Sequence, residues 1–173
     1  MIFLYIILAI LGLIIILGII APKTYEVSRS IVINKPKDEV FSYLKSLKNQ
    51  DTWSPWGKRD PNMKKKFTGI DGEVGATSYW NGNKEVGEGE QEITKIVEGE
   101  RIETELRFLK PFKSTSDAFF YVDEVNGGTE VVWGFKGNNK FPMSIMMLFM
   151  SMDKMIGKDF EEGLSDLKAQ LEA

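Results

Sequence analysis

Residues Ile2 to Ala21, IFLYIILAILGLIIILGIIA, form an uncharged run of 20 residues that leaves a helix no polar face to turn toward water. At about 1.5 Å of rise per residue such a helix reaches roughly 30 Å, the thickness of a bilayer's hydrocarbon core. The run predicts a transmembrane anchor over residues 1–21, with a single domain over residues 22–173. A cleaved signal peptide is the competing reading. Such a peptide has a basic start, an apolar stretch of about 7 to 15 residues and a small-x-small cleavage site. Here no Lys or Arg precedes the run, the run is longer, and Ile19 interrupts the site that would end at Ala21. Lys23, Arg29, Lys35 and Lys37 all follow the run, which predicts a single-pass membrane protein whose folded domain lies on the cytoplasmic side. Only Pro22-Lys23-Thr24 separates the run from the first strand-like alternation, a span of at most about 10 Å.

Composition narrows the chemistry. The 173 residues include no cysteine and no histidine. Disulfides, thiolate nucleophiles and Cys-ligated metal centres are excluded, as are the usual neutral-pH base and the commonest metal ligand. A net charge of −3 gives no electrostatic footprint for nucleic acid.

YEVSRSIVIN alternates with Tyr25, Val27, Ile31 and Ile33 on one face, predicting a strand. Pro36 suits a first helical residue, Asp38 and Glu39 complement the helix N-terminus, and Val40, Phe41, Leu44 and Leu47 recur at helical spacing. After Trp53-Ser-Pro-Trp56 come about six consecutive, glycine-punctuated strands, with Asn81-Gly82 and Asn126-Gly127-Gly128 as hairpin signals and Glu98-Gly99 as a weaker one. From Pro142 onward, Ile145, Phe149, Met152, Ile156, Phe160, Leu164, Leu167 and Leu171 share a helical face, predicting one long closing helix that Gly157 or the Ser151 region can bend. The fold class is therefore α+β, a curved antiparallel sheet of about seven strands around a C-terminal helix.

Seven strands at about 4.8 Å spacing make a sheet roughly 30 Å wide, while a helix is only about 10–12 Å across. The sheet must curl, and the space left inside is filled by side chains or by a ligand. The candidate lining is Trp53, Trp56, Trp80, Leu106, Phe108, Phe120, Trp133, Phe135, Ile145, Phe149, Met152 and Ile156, with Trp53 and Trp56 closing one end as a cap or as a simple plug. Six of the eight methionines fall between Met143 and Met155, a soft surface suited to core gaps, a membrane, a ligand mouth or a protein groove.

No catalytic residue and no metal site is expected. Glu88, Glu90 and Glu92 share one strand face, as do Glu103, Glu105 and Arg107, and both sets read as a solvated outer surface. The glycines around Ile70-Asp71 and Glu88 lack the strand-to-helix setting of a phosphate loop. Lys58, Arg59, Lys64, Lys65 and Lys66 form the one basic cluster, solvated or set against anionic headgroups.

EVSRSIVINKPKDEVFSYLKSLKNQDTWSPW, GIDGEVGATSYWNG, KEVGEGEQEI, GGTEVVWGFKG and MDKMIGKDFEEGLSDLKAQLE together resemble the START-like, or SRPBCC, superfamily of helix-grip proteins, and within it the polyketide cyclase/dehydrase-like group. The resemblance covers nearly all of residues 25 to 172 and implies a pocket for lipids, polyketides or other apolar molecules, with catalysis in only some members. The expectation is a membrane-anchored binder of a hydrophobic small molecule (lipid, isoprenoid or polyketide-like) without a cofactor and without nucleic acid as a partner. Cyclase- or dehydrase-like chemistry in the same cavity, or a co-chaperone-like interaction module, are the alternatives.

Overall fold

The computed structural model describes residues 1–173. An apolar helix α1 (Ile2–Ile20) with no buried residue is followed by β1 (Thr24–Ile33), α2 (Lys37–Lys45), α3 (Leu47–Trp53) and α4 (Pro55–Arg59). Then come β2 (Lys64–Thr68), β3 (Thr77–Asn81), β4 (Glu88–Val97), β5 (Arg101–Lys110), β6 (Ser114–Val125), β7 (Gly128–Asn138), α5 (Met143–Met146) and α6 (Met152–Glu172). The seven strands form one antiparallel sheet in the order β1-β7-β6-β5-β4-β3-β2, packed on α6. This is the α+β helix-grip architecture expected from the sequence.

Residues directly opposite each other in an antiparallel pair share a face. Tyr25, Val27, Arg29, Ile31 and Ile33 of β1 stand opposite Gly137, Phe135, Trp133, Val131 and Thr129 of β7, and these in turn lie over Ser116, Ala118, Phe120 and Val122 of β6. Ile102, Thr104, Leu106 and Phe108 of β5 continue the inner face, which receives the helices. The same register turns the strands' carboxylates outward except Glu124, which shares the inner-face register with Thr129 at the exposed far end of β6.

The helices start and stop where their capping chemistry dictates. Pro36 is the residue before α2, one position earlier than expected, with Asp38 and Glu39 in the first turn. Ser46 ends α2 and caps α3, its hydroxyl oxygen accepting from the Asn49 N–H at 3.1 Å while Asp71 accepts from the Ser46 hydroxyl at 2.6 Å and the Leu47 N–H at 2.8 Å. Trp53 closes α3 and Pro55 opens α4, so the Trp-Ser-Pro-Trp stretch is the joint between two short helices.

Two local expectations change. Asn126-Gly127 forms the two-residue link between β6 and β7, with Gly127 at φ 92°. Asn81-Gly82, in contrast, begins a longer loop running to Glu88. Asp60 accepts the Asn83 N–H at 2.7 Å and Asn83 Nδ2 donates to the Arg59 carbonyl at 3.1 Å, which ties that loop to the end of α4. The closing helix is not continuous from Pro142 either. After α5 the backbone turns and becomes extended at Ser151, which caps α6 (φ −109°, ψ 122°) and cuts Ile145 and Phe149 off from the α6 face. Gly157 lies inside α6 without ending it, where the missing side chain makes room for the Arg29 guanidinium.

Arg29 fastens α6 to β1, donating to Asp153 at 2.7 Å and Glu161 at 2.6 Å. The hydrogen bond from Arg29 holds the Asp153 carboxyl below the usual aspartate range. A group whose folded pKa is depressed contributes stability above its unfolded value and loses it as pH falls through the folded value. The Tm should therefore drop as pH falls from about 5 to about 3. Arg29→Leu should lower Tm at neutral pH and make the acid-side fall shallower, checked by thermal scans across that window. An unchanged acid slope in the variant would remove this pair from the account.

Candidate ligand groove

α6 runs alongside β1 in the same direction: Asp153 and Glu161 meet Arg29, Lys168 Nζ donates to the Val32 carbonyl at 2.7 Å, and the Asn34 N–H donates to Glu172 at 2.6 Å. The start of β1, the end of β7 and the start of α6 thus lie at one end of the domain, the end from which α1 departs. The inner face differs between the two ends.

Away from α1 it is filled by the chain's own rings. Trp133 is stacked on Phe160 (centroids 4.4 Å apart, 25°) and on Phe120 (5.7 Å, 20°), and it meets Trp53 (5.0 Å, 79°) and Trp56 (5.6 Å, 88°) edge to face. Trp53 is fully buried, and its indole N–H has no hydrogen-bond partner. Val131, Val122, Ile33, Val40, Leu44 and Leu167 complete the packing beyond.

Toward α1 the same face is only half covered. Trp80 meets Phe108 edge to face at 6.0 Å, Phe108 meets Phe135 at 6.4 Å, and Phe135 meets Tyr25 at 5.4 Å. Trp80, Leu106, Phe108 and Tyr25 are half-buried, as are Met152 and Ile156 of α6. Trp80 lies against Gly89 on the neighbouring strand, where a Cβ would collide with its ring. The result is a half-exposed apolar strip on the inner face of β3–β5 and the first turns of α6, the candidate for a ligand groove.

Its polar groups are few. The Tyr25 hydroxyl and Ser116 Oγ share a hydrogen bond of 2.8 Å, and Gln91 Nε2 donates to Thr104 Oγ1 at 3.2 Å. Burial raises the Tyr25 phenol above its ordinary value, so it stays protonated and able to donate. The sequence reading did not single out Ser116, Gln91 or Thr104. Each alternates with apolar inner-face neighbours, the only signal available before the register is known.

Of the twelve residues predicted to line a cavity, Trp53, Trp56, Phe120 and Trp133 gather in the filled half. Trp80, Leu106, Phe108, Phe135, Met152 and Ile156 lie along the half-open part. Ile145 and Phe149 belong to the segment before α6, where Ile145 is half-buried and Phe149 projects outward. Of two surface clefts, about 390 and 300 Å³, the first lies away from these residues at Asn34–Lys37, Glu124, Val125, Gly127 and Gly128, and the second, on Thr24–Glu26, Asp117 and Lys136–Asn138, includes Tyr25.

The glutamates face away from the groove. Arg107 donates to Glu92 at 2.7 Å, to Glu105 at 2.6 Å and to Glu90, while Lys110 pairs with Glu88 at 2.6 Å. The basic cluster splits: Lys58 pairs with Asp166 and Glu162, Arg59 with Asp159 at 2.5 Å and Lys65 with Asp51 at 2.7 Å, whereas Lys64 and Lys66 point outward from the edge strand β2 without an ion pair. No group of three or more acidic side chains is arranged to hold a metal ion.

Residues 24–172 match a family model described as polyketide cyclase / dehydrase and lipid transport. No curated protein matches the chain. Among solved structures, an uncharacterized protein from Rhizobium leguminosarum is 15% identical over 87% of this chain and 95% of its own, with a TM-score of 0.62. The Mll3558 protein from Rhizobium loti is 16% identical over 85% and 96%, TM-score 0.62. Major latex-like protein 151 from Panax ginseng is 15% identical over 86% and 98%, TM-score 0.60. At these identities the likeness shows the shared fold.

Proposed function

This chain belongs to the polyketide cyclase/dehydrase and lipid transport family, and on that footing we propose that it is a membrane-anchored binder of a hydrophobic small molecule: a lipid, an isoprenoid or a polyketide-like compound. Residues 1–21 are the anchor of a single-pass protein, and residues 22–173 form the binding domain on the cytoplasmic side. The observation that carries the binding reading is the half-exposed apolar strip of Trp80, Leu106, Phe108, Met152 and Ile156 beside the buried Phe135. An apolar ligand there removes ring surface from water, while Tyr25, Ser116 and Gln91 offer hydrogen bonds to a hydroxyl or carbonyl at its polar end. The anchor is supported by the length of α1, its lack of charge and its having no buried residue. Of the basic cluster, Lys64 and Lys66 are the members free to meet anionic headgroups.

Delipidated full-length protein in detergent is expected to take up a fluorescent fatty-acid, sterol or polyketide probe, and native mass spectrometry to show one bound apolar molecule. Phe108→Asp, which places a charge in the groove, should weaken uptake at least about tenfold, since a buried unpaired carboxylate costs more than 1.4 kcal/mol. Circular dichroism on the same samples checks that the fold persists. Failure of the wild type to bind any probe, with nothing co-purifying, overturns the reading.

Tyr25 favours a second reading, cyclase- or dehydrase-like chemistry with its protonated phenol as the acid. The base it would need is missing from the strands' inner face, where the anchor-end positions are Val27, Phe135, Ser116, Leu106, Gln91 and Trp80. Binding without turnover is the better-supported function.

A further inference from the structure

The anchor's exit is pinned to the domain. Ala21 is buried, the Asn139 N–H donates to the Lys23 carbonyl at 2.8 Å, Asn139 Nδ2 donates to the Pro22 carbonyl at 3.2 Å, and Lys23 reaches back to the Gly18 carbonyl. Phe141, two residues beyond Asn139, packs against Gly18, and α1 meets α5. Gly18 lies about 3 Å inside the C-terminal end of α1, a helix of about 28 Å. If α1 spans the hydrocarbon core, Phe141 sits at the hydrocarbon boundary and the segment leading to α6 runs along it.

That segment is apolar and exposed: Phe141 66%, Met146 49%, Phe149 79% and Met150 42%. The β5–β6 turn, at the same end because Phe108 pairs with Ser114, adds Phe112 at 72%. Single exposed apolar residues are ordinary, but five such residues on neighbouring loops are a patch. The two stretches themselves carry only lysines: Leu109–Ser114 has Lys110, which is paired with Glu88 of β4, and Lys113, and Asn139–Met150 has Lys140. Apolar side chains that bury at the headgroup boundary, flanked by lysines that meet anionic headgroups, are what an interfacial surface requires.

We propose that the Phe141–Met150 segment and the Phe112 turn form a second membrane contact, inserting about 5–10 Å into the headgroup boundary of an anionic bilayer and setting the domain upright on the leaflet from which α1 emerges. The proposal rests on the anchor reading above for its geometry. It also places the open part of the groove against the lipid.

The absence of native cysteine makes a clean test. Single cysteines replacing Phe112, Phe149, Asn126 at the opposite end of the sheet, and Leu13 in α1 are nitroxide-labelled in the full-length chain in phosphatidylcholine–phosphatidylglycerol vesicles. Collisions with oxygen and with a water-soluble nickel chelate are then compared. The inference expects labels at 112 and 149 to collide several-fold less with the chelate than the label at 126, and several-fold more with oxygen. Chelate-accessible labels at 112 and 149, with the label at 13 in hydrocarbon, overturn the inference and leave the anchor standing. Chelate access at 13 together with 112 and 149 overturns both, while access at 13 alone supports the surface contact and overturns the anchor. Spin–spin broadening at 149 that disappears on dilution with unlabelled protein assigns the patch to a second copy and overturns the membrane contact.

Discussion

Replacing Trp133 with alanine is expected to destabilise the domain by about 3–5 kcal/mol. The side chain stacks on Phe160 and Phe120 and takes the edges of Trp53 and Trp56, so its loss opens a void that four elements would have to collapse into at once. Those neighbours come from α3, α4, β6 and α6, and none can shift without dragging its own packing. Guanidinium denaturation of the full chain in detergent, followed by near-ultraviolet circular dichroism of the tryptophans, measures the loss. A change below about 0.5 kcal/mol, the level of ordinary surface substitutions, would show that the ring is not sealed in as described.

Gly163→Ala is expected to reverse the usual sign of that substitution. Exchanging glycine for alanine inside a helix ordinarily gains up to about 1 kcal/mol. Here the new Cβ would lie 2.7 Å from Trp133 Cζ3 and 3.0 Å from Pro55 Cδ, closer than carbon atoms can rest. Trp133 is held between Phe160 and Phe120 and cannot yield, so α6 must back away from the sheet, at a cost of about 1–3 kcal/mol. Trp133→Phe in the same chain should restore part of the loss, because the smaller ring vacates the space. A double-mutant cycle tests this directly: additive effects would mean the two positions do not touch in solution.

Much of the framework is legible in the residues. The alternation of Tyr25, Val27, Ile31 and Ile33, the Asn126-Gly127 turn and the Phe160-Leu164-Leu167-Leu171 steps each carry their own periodicity, and each becomes the element that periodicity demands. The sequence marks the Ser151 region only as a place where the helix can bend, not as a full break. The Met143–Met152 stretch is apolar on every side, so no change of period marks where one helix stops and another begins. Phe119 and Phe120 show a different limit. Consecutive strand residues point to opposite faces, yet both are buried, Phe120 in the core and Phe119 on the outer face over Gly134, a relation between strands that one strand cannot announce.

The groove depends still more on register. Tyr25 and Ser116 are 91 residues apart and bond only because both pair across Gly137. Likewise, nothing in the aromatic spacing says that Trp133 closes one half of the inner face while Phe135, two residues on, borders the half left open. Which rings seal and which receive is decided by where the short helices land.

The stitching of Pro22 and Lys23 to Asn139 also bears on what kind of carrier such a protein can be. A ferry between two bilayers needs slack, a leash long enough for its cargo bay to leave one shore and reach another. This domain has none. On the proposed reading, with α1 in a bilayer, it would serve a single leaflet, collecting or presenting molecules for whatever stands beside it in the same sheet of lipid.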